Sequence, residues 1–182
     1  TSFSSTAKAG DPKTRNSEKY AMKVADLAGP DFNLANYSIP QNMTIKSRDG
    51  LDLYGYMILP KDFDPSKKYP VHVDIYGGPD LPQVNERWKT PSSYEWWGEN
   101  GIIQVSVDNR AAGFNGREGL DYIYRCLDEY ETNDFVDWAK YLQSLPYVKP
   151  NKIGVQGFSF GGMMTALLLF DQSEYFHYGI GG

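Results

Sequence analysis

From Met43 onward, apolar and polar residues follow one another in short, regular runs separated by turn formers. MTIKS and LDLYGYMIL both alternate, and Arg48-Asp49-Gly50 lies between them, which predicts an antiparallel hairpin. VHVDIY (71–76), IIQVSV (102–107) and KIGVQG (152–157) are short and rich in β-branched residues, as buried strands are, and YGIGG begins another. Helical stretches separate them. One is expected around Ser92–Trp97, and an acidic one runs from Glu118 to Asp137. Its last part sets Phe135, Trp138, Ala139 and Leu142 at i, i+3, i+4 and i+7, a core-facing stripe, before Pro146 and Pro150 end it. FGGMMTALLLF is a third, apolar nearly all round. The order predicts an α/β fold, a mostly parallel sheet with helices on both faces. Residues up to about Asn36 are turn-rich and charged and read as a linker.

Composition narrows the functional classes. Of 182 residues 41% are hydrophobic, enough for a core, and the net charge of -5 argues against a nucleic-acid or anionic-membrane partner. Cys126 is the one cysteine, so neither an intrachain disulfide nor a paired-cysteine zinc site is available. The longest apolar run, Met163 to Phe170 interrupted by Thr165, is too short to span a bilayer, and TSFSSTAKAG lacks the apolar segment of a signal peptide. No metal-ligand cluster or phosphate-binding loop is present, so no cofactor is expected. The acidic run from Glu118 to Asp137 reads as a solvated helical face.

Gly157-Phe158-Ser159-Phe160-Gly161 matches G-x-S-x-G. A nucleophilic serine at the top of a sheet sits on a strand-to-helix turn so sharp that the residues two before and two after it nearly touch. Only glycine fits there. The helix that follows favours negative charge at its start, and the N–H after the serine can face a developing oxyanion. Here the motif follows an expected strand and opens an expected helix, the context the chemistry needs.

Three runs, YPVHVDIYGGP, GIIQVSVDNRAAGFNGREG and YVKPNKIGVQGFSFGGMMT, resemble the peptidase domain of the prolyl oligopeptidase family, and its dipeptidyl peptidase IV branch in particular. The resemblance implies an α/β-hydrolase domain preceded by a β-propeller. Residues 1–38 would be the propeller's end and linker, and 39–182 the N-terminal portion of the peptidase domain, about six of its eight strands. It implies a serine peptidase that cleaves after proline or releases dipeptides through an acyl-enzyme. Ser159 would be the nucleophile, with the Phe160 N–H and the Tyr76 hydroxyl as oxyanion donors. The partners implied are a peptide substrate, the rest of the peptidase domain, the propeller and a second copy in a homodimer. Family relatives lean toward a periplasmic or extracellular setting. Two departures stand out: Phe158-Ser159-Phe160 replaces the usual Trp-Ser-Tyr, and Ala111 follows Arg110 where D-x-R-G has glycine.

A serine nucleophile needs a base oriented by an acid. His72 lies inside a strand and reads as a packed residue. His177 precedes the last strand and so belongs to the opposite sheet edge from Ser159, as does Asp171 at the far end of the intervening helix. The acid and histidine are therefore expected outside these residues, making the chain part of a longer protein with little turnover of its own. Asp108 and Arg110 fall at the ligand-binding edge. They read either as a loop-shaping ion pair or, for Arg110, as a substrate contact. An esterase or acylaminoacyl peptidase on the same fold stays open, as does a non-catalytic scaffold.

Overall fold

The computed structural model describes residues 29–33, 37–85 and 93–182. The chain divides into two units, residues 1–34 and 35–182. The linker reading falls almost wholly on residues outside those described.

The second unit is built on a six-stranded mixed sheet. Strands β1 (Gln41–Lys46) and β2 (Asp52–Ile58) form the hairpin, with Lys46 opposite Asp52. Gly50 takes a positive φ of 95° in the turn, a conformation glycine adopts without steric cost. Then follow β3 (Tyr69–Asp74), α1 (Ser93–Glu99), β4 (Ile103–Val107), α2 (Gly116–Ile123), α3 (Glu129–Ser144), β5 (Val148–Gly157), α4 (Phe160–Asp171) and β6 (Tyr178–Gly181). The spatial order is β1-β2-β4-β3-β5-β6, antiparallel up to the β2–β4 pair and parallel beyond it.

This order positions the site. From β3 the chain crosses to β4 on one side, and from β5 it crosses to β6 on the other, while β3 and β5 are neighbours. The connections diverge between those two strands, leaving a crevice at their C-terminal ends, where open α/β sheets bind ligands.

The expected helical stripe is the core. Phe135, Trp138, Ala139 and Leu142 are all at most 1% exposed, and they cluster with Val71 and Val73 of β3, with Ile75 just past it, and with Met164 and Leu168 of α4. His72, which strand alternation turns to the other face, stacks on Trp97 of α1 with ring centres 4.1 Å apart. Helices thus cover both faces.

The acidic stretch departs from expectation in two ways. It is two helices, separated by a turn in which Arg125 and Asp128 have φ of 60° and 79°. Nor is it simply a solvated face, because Glu131 and Asp134 are fully buried. Glu131 reaches back to accept the Asp128 N–H at 3.1 Å, closing the first turn of α3, and Asp134 is an ion-pair partner described below.

Candidate active site

The β5–α4 junction turns on Ser159, whose φ of 59° and ψ of −119° lie outside the regions ordinary residues favour. Such a conformation costs about 1–3 kcal/mol and persists where the surroundings over-determine it. They do so here through glycines. A Cβ on Gly157 would run into the Gly161 backbone, and one on Gly161 would stand 2.6 Å from the Ile75 carbonyl oxygen and 3.1 Å from the Tyr76 Cα. Gly162 is similarly pressed against Gly182. The Ser159 N–H donates to the Gly182 carbonyl at 2.6 Å, and the Gly182 N–H donates to Gly157 at 3.2 Å, so the end of β6 straps the turn.

Ser159 is the N-cap of α4, yet its side chain makes no capping hydrogen bond, and the residue is exposed. Its carbonyl accepts the Gly162 and Met163 amides at 2.9 and 3.1 Å. The Phe160 N–H, at the first helical position, has no acceptor within the helix, which leaves it free for an oxyanion. Tyr76 lies just past β3, and its ring centre is 6.2 Å from that of Phe160. The close approach of Gly161 to the Tyr76 backbone fixes the two strand ends against each other. Ser159, Phe160 and Tyr76 are therefore brought to one place. Phe158 stands 77% exposed beside the serine.

Arg110 goes elsewhere. It is buried, and its backbone N–H and guanidinium bond Asp134 at 2.7–3.2 Å while the two terminal nitrogens bond Asp49 of the hairpin turn at 2.6 and 2.9 Å. The rings of Tyr122 and Tyr130 each lie 4.8 Å from its central carbon. Burial alone would lower its pKa, but the hydrogen bonds it donates to Asp134 and Asp49 outweigh that and hold the group charged. In return those bonds hold the Asp49 carboxyl down at about 2. Most of its N–H donors are engaged inside the fold, which does not favour the substrate-contact reading of Arg110. Nor is Asp108 its partner. The Asp108 carboxylate accepts the Gln83 and Val84 amides at 2.8 and 2.9 Å.

Neither histidine meets the serine. His72 sits opposite Gly154 in the β3–β5 register, five residues before Ser159, roughly 16 Å along a strand. Burial pushes its pKa down to about 4, so it is neutral. The His177 N–H donates to the Ile153 carbonyl at 2.9 Å, at the sheet edge opposite Ser159. Sequence reasoning missed Asn109. Its side chain joins the two loops beside Tyr76, and only the loop run DNRAAGFNG hinted at it.

The sequence profile of the prolyl oligopeptidase family matches residues 88–182. The chain belongs to that family. Among the family's curated members, dipeptidyl peptidase 8 of Homo sapiens is 31% identical over 175 residues, 94% of this chain and 19% of that protein. The crystal structure of Porphyromonas gingivalis dipeptidyl peptidase 4 superposes with a TM-score of 0.75 at 32% identity, over 80% of this chain and 20% of that one. A Bacteroides ovatus structure assigned as a dipeptidyl aminopeptidase IV gives 0.75 at 37%, over 82% and 22%. The chain thus spans about a fifth of the length of these family members. Its sheet and helices are the α/β-hydrolase fold that they share. Among the described residues, no helix is long and apolar enough to cross a membrane.

Proposed function

We propose that this chain carries the nucleophile and oxyanion hole of a serine peptidase that removes dipeptides from the N-terminus of peptides, with a preference for proline at the cleaved bond. The exposed, uncapped Ser159 on its glycine-walled turn, at the point where the sheet connections diverge, carries the reading. Similarity to proteins named dipeptidyl peptidases supports the substrate class.

In this reading the Ser159 Oγ bonds to the scissile carbonyl carbon as its proton passes to a histidine. The carbonyl oxygen becomes an oxyanion held by the Phe160 N–H and the Tyr76 hydroxyl. Collapse breaks the C–N bond, the histidine returns the proton to the leaving amine, and water then hydrolyses the acyl-enzyme. The positions of His72 and His177 favour a histidine and acid contributed by sequence outside these residues. Residues 39–182 would then be the N-terminal portion of the peptidase domain, and 1–38 the exit from a propeller. The helix start also places fixed positive potential where the oxyanion forms.

The test compares fluorogenic Xaa-Pro, acyl-amino-acid and short ester substrates on the full-length gene product. Xaa-Pro turnover should dominate and Ser159→Ala should abolish it. A fluorophosphonate should label the full-length protein and hardly label the 182-residue chain, because in this reading the serine's base lies outside it. Preference for acyl-amino-acid or ester substrates would overturn the dipeptidyl assignment. Turnover that survives Ser159→Ala would overturn the role of the serine.

A further inference from the structure

Tyr76 ends a strand, and its hydroxyl can serve an oxyanion only if the peptide after it is held still. That peptide has an unusual set of constraints. Gly77 has φ of +83°, and a Cβ there would stand 3.1 Å from Met164 and 3.2 Å from Phe135. A Cβ on Gly78 would fall onto the Tyr76 ring, so the ring lies against the Gly78 backbone. The orientation of the Gly77–Gly78 peptide therefore sets where the phenol points.

One side chain grips that peptide. Asn109, 3% exposed, donates from Nδ2 to the Gly77 carbonyl at 2.7 Å and accepts the Ala111 N–H on Oδ1 at 3.0 Å. The two partners fix the amide's orientation, since the flipped form would set oxygen against oxygen and N–H against N–H. Two further ties join the same loops. The Asp80 N–H donates to the Ala111 carbonyl at 2.8 Å, and Asp108 holds the Gln83 and Val84 amides. Both fall three or more residues beyond Tyr76. Of these ties, only the Asn109 bond lands on the peptide against which the ring rests. Asn109 is itself anchored from behind, because Arg110 is locked between the hairpin turn and α3.

We infer that Asn109 is a positioning residue for the oxyanion hole: it acts through the Gly77 carbonyl to hold the Tyr76 hydroxyl in place, without touching substrate. The inference rests on the proposed role of Tyr76.

The experiment is a double-mutant cycle between positions 76 and 109 on the full-length gene product, read as kcat and KM on an Xaa-Pro substrate. Tyr76→Phe alone should cost about 10²-fold or more in kcat, the usual effect of losing one oxyanion donor. Asn109→Ala alone should cost roughly 10- to 100-fold in kcat with KM within about threefold, as expected of a misplaced donor. Added to Tyr76→Phe, it should cost less than about threefold, because no hydroxyl is left to position. Asn109→Asp keeps the volume and the acceptor for Ala111 but loses the donor. It should lose as much kcat as the alanine variant, and it decides the matter if the alanine variant fails to fold. An equal loss in both Tyr76 backgrounds, a loss confined to KM, or full activity of Asn109→Asp would overturn the inference. Parental-level kcat in Tyr76→Phe, or activity independent of Ser159, would instead bring down the functional reading beneath it.

Discussion

Replacing Arg110 with methionine separates a structural role from a substrate-binding one. The substitution keeps length and apolar bulk and deletes the charge. It would strand Asp134, a fully buried carboxylate that now accepts the Arg110 backbone N–H and three guanidinium contacts of 2.7–3.2 Å. It would also remove the two bonds to Asp49 and the stacking between Tyr122 and Tyr130. Breaking one partner of a buried pair costs about 3–5 kcal/mol, chiefly because the remaining charge is left uncompensated. Each of the two cation–π contacts adds ~0.5–1 kcal/mol, so the expected total is about 4–7 kcal/mol. Urea unfolding followed by tryptophan fluorescence is a direct assay. Trp138 is buried and donates to the Asp108 carbonyl at 3.1 Å, two residues from the pair, so it should report the loss. The Asp49 carboxyl, now held at about 2, should return toward the ordinary carboxylate value of about 4. Replacing Asp134 by leucine in the same protein should restore much of the stability, since no charge is then left buried. If the variant loses less than about 1 kcal/mol and instead raises KM for peptide, the structural argument is wrong and Arg110 meets substrate.

Glu131 is buried with one carboxyl oxygen unpartnered, and burial pushes its pKa up to about 7. The folded protein therefore holds this proton more tightly than the unfolded chain does, and stability should fall as pH rises from about 4.5 to 7. Glu131→Gln should be nearly neutral at pH 4.5 and stabilising by of order 2 kcal/mol at pH 8, measured as the difference in unfolding free energy, and a pH-independent difference would refute this. Gly161→Ala places a methyl group against the Ile75 carbonyl and the Tyr76 backbone, where rigid strand cannot yield, so it should cost about 1–3 kcal/mol and most of kcat, checked by denaturation and turnover together. His72→Gln should leave the acid limb of the pH–rate profile of the full-length protein unmoved, because a neutral histidine stacked on Trp97 supplies no catalytic proton.

What the sequence disclosed and what it concealed differ in range. Ser159 could be found because the constraint on it is local: a tight turn forces glycine at 157 and 161, and five residues of sequence record it. The strands and the α3 stripe were legible for the same reason, since periods of 2 and 3.6 are written in neighbouring residues. The acidic stretch was misread because a carboxylate looks the same in sequence whether water or an arginine satisfies it. The partners of Arg110 lie 24 and 61 residues away, with no periodicity to betray them.

The loop after β4 shows why such long-range pairs matter to a site built from local motifs. Three consecutive residues face three different parts of the fold. Asp108 holds the amides of Gln83 and Val84, Asn109 holds the Gly77 carbonyl, and Arg110 joins the hairpin turn to α3. The first two act on the loop that follows Tyr76, and the third fixes the point from which they act. The G-x-S-x-G turn places its serine alone, but it meets only the backbone of Tyr76, the proposed oxyanion donor, and leaves the direction of the phenol to be set elsewhere. Its alignment depends on the neighbouring loop, and that loop is rigid because a buried charge network holds its far end. Ala111 and Ala112, which follow directly, are at most 1% exposed, so the loop has no room to relax. A perturbation at Asp49, in the hairpin turn, should therefore reach Tyr76 through Arg110 and Asn109, and would weaken turnover without touching the substrate.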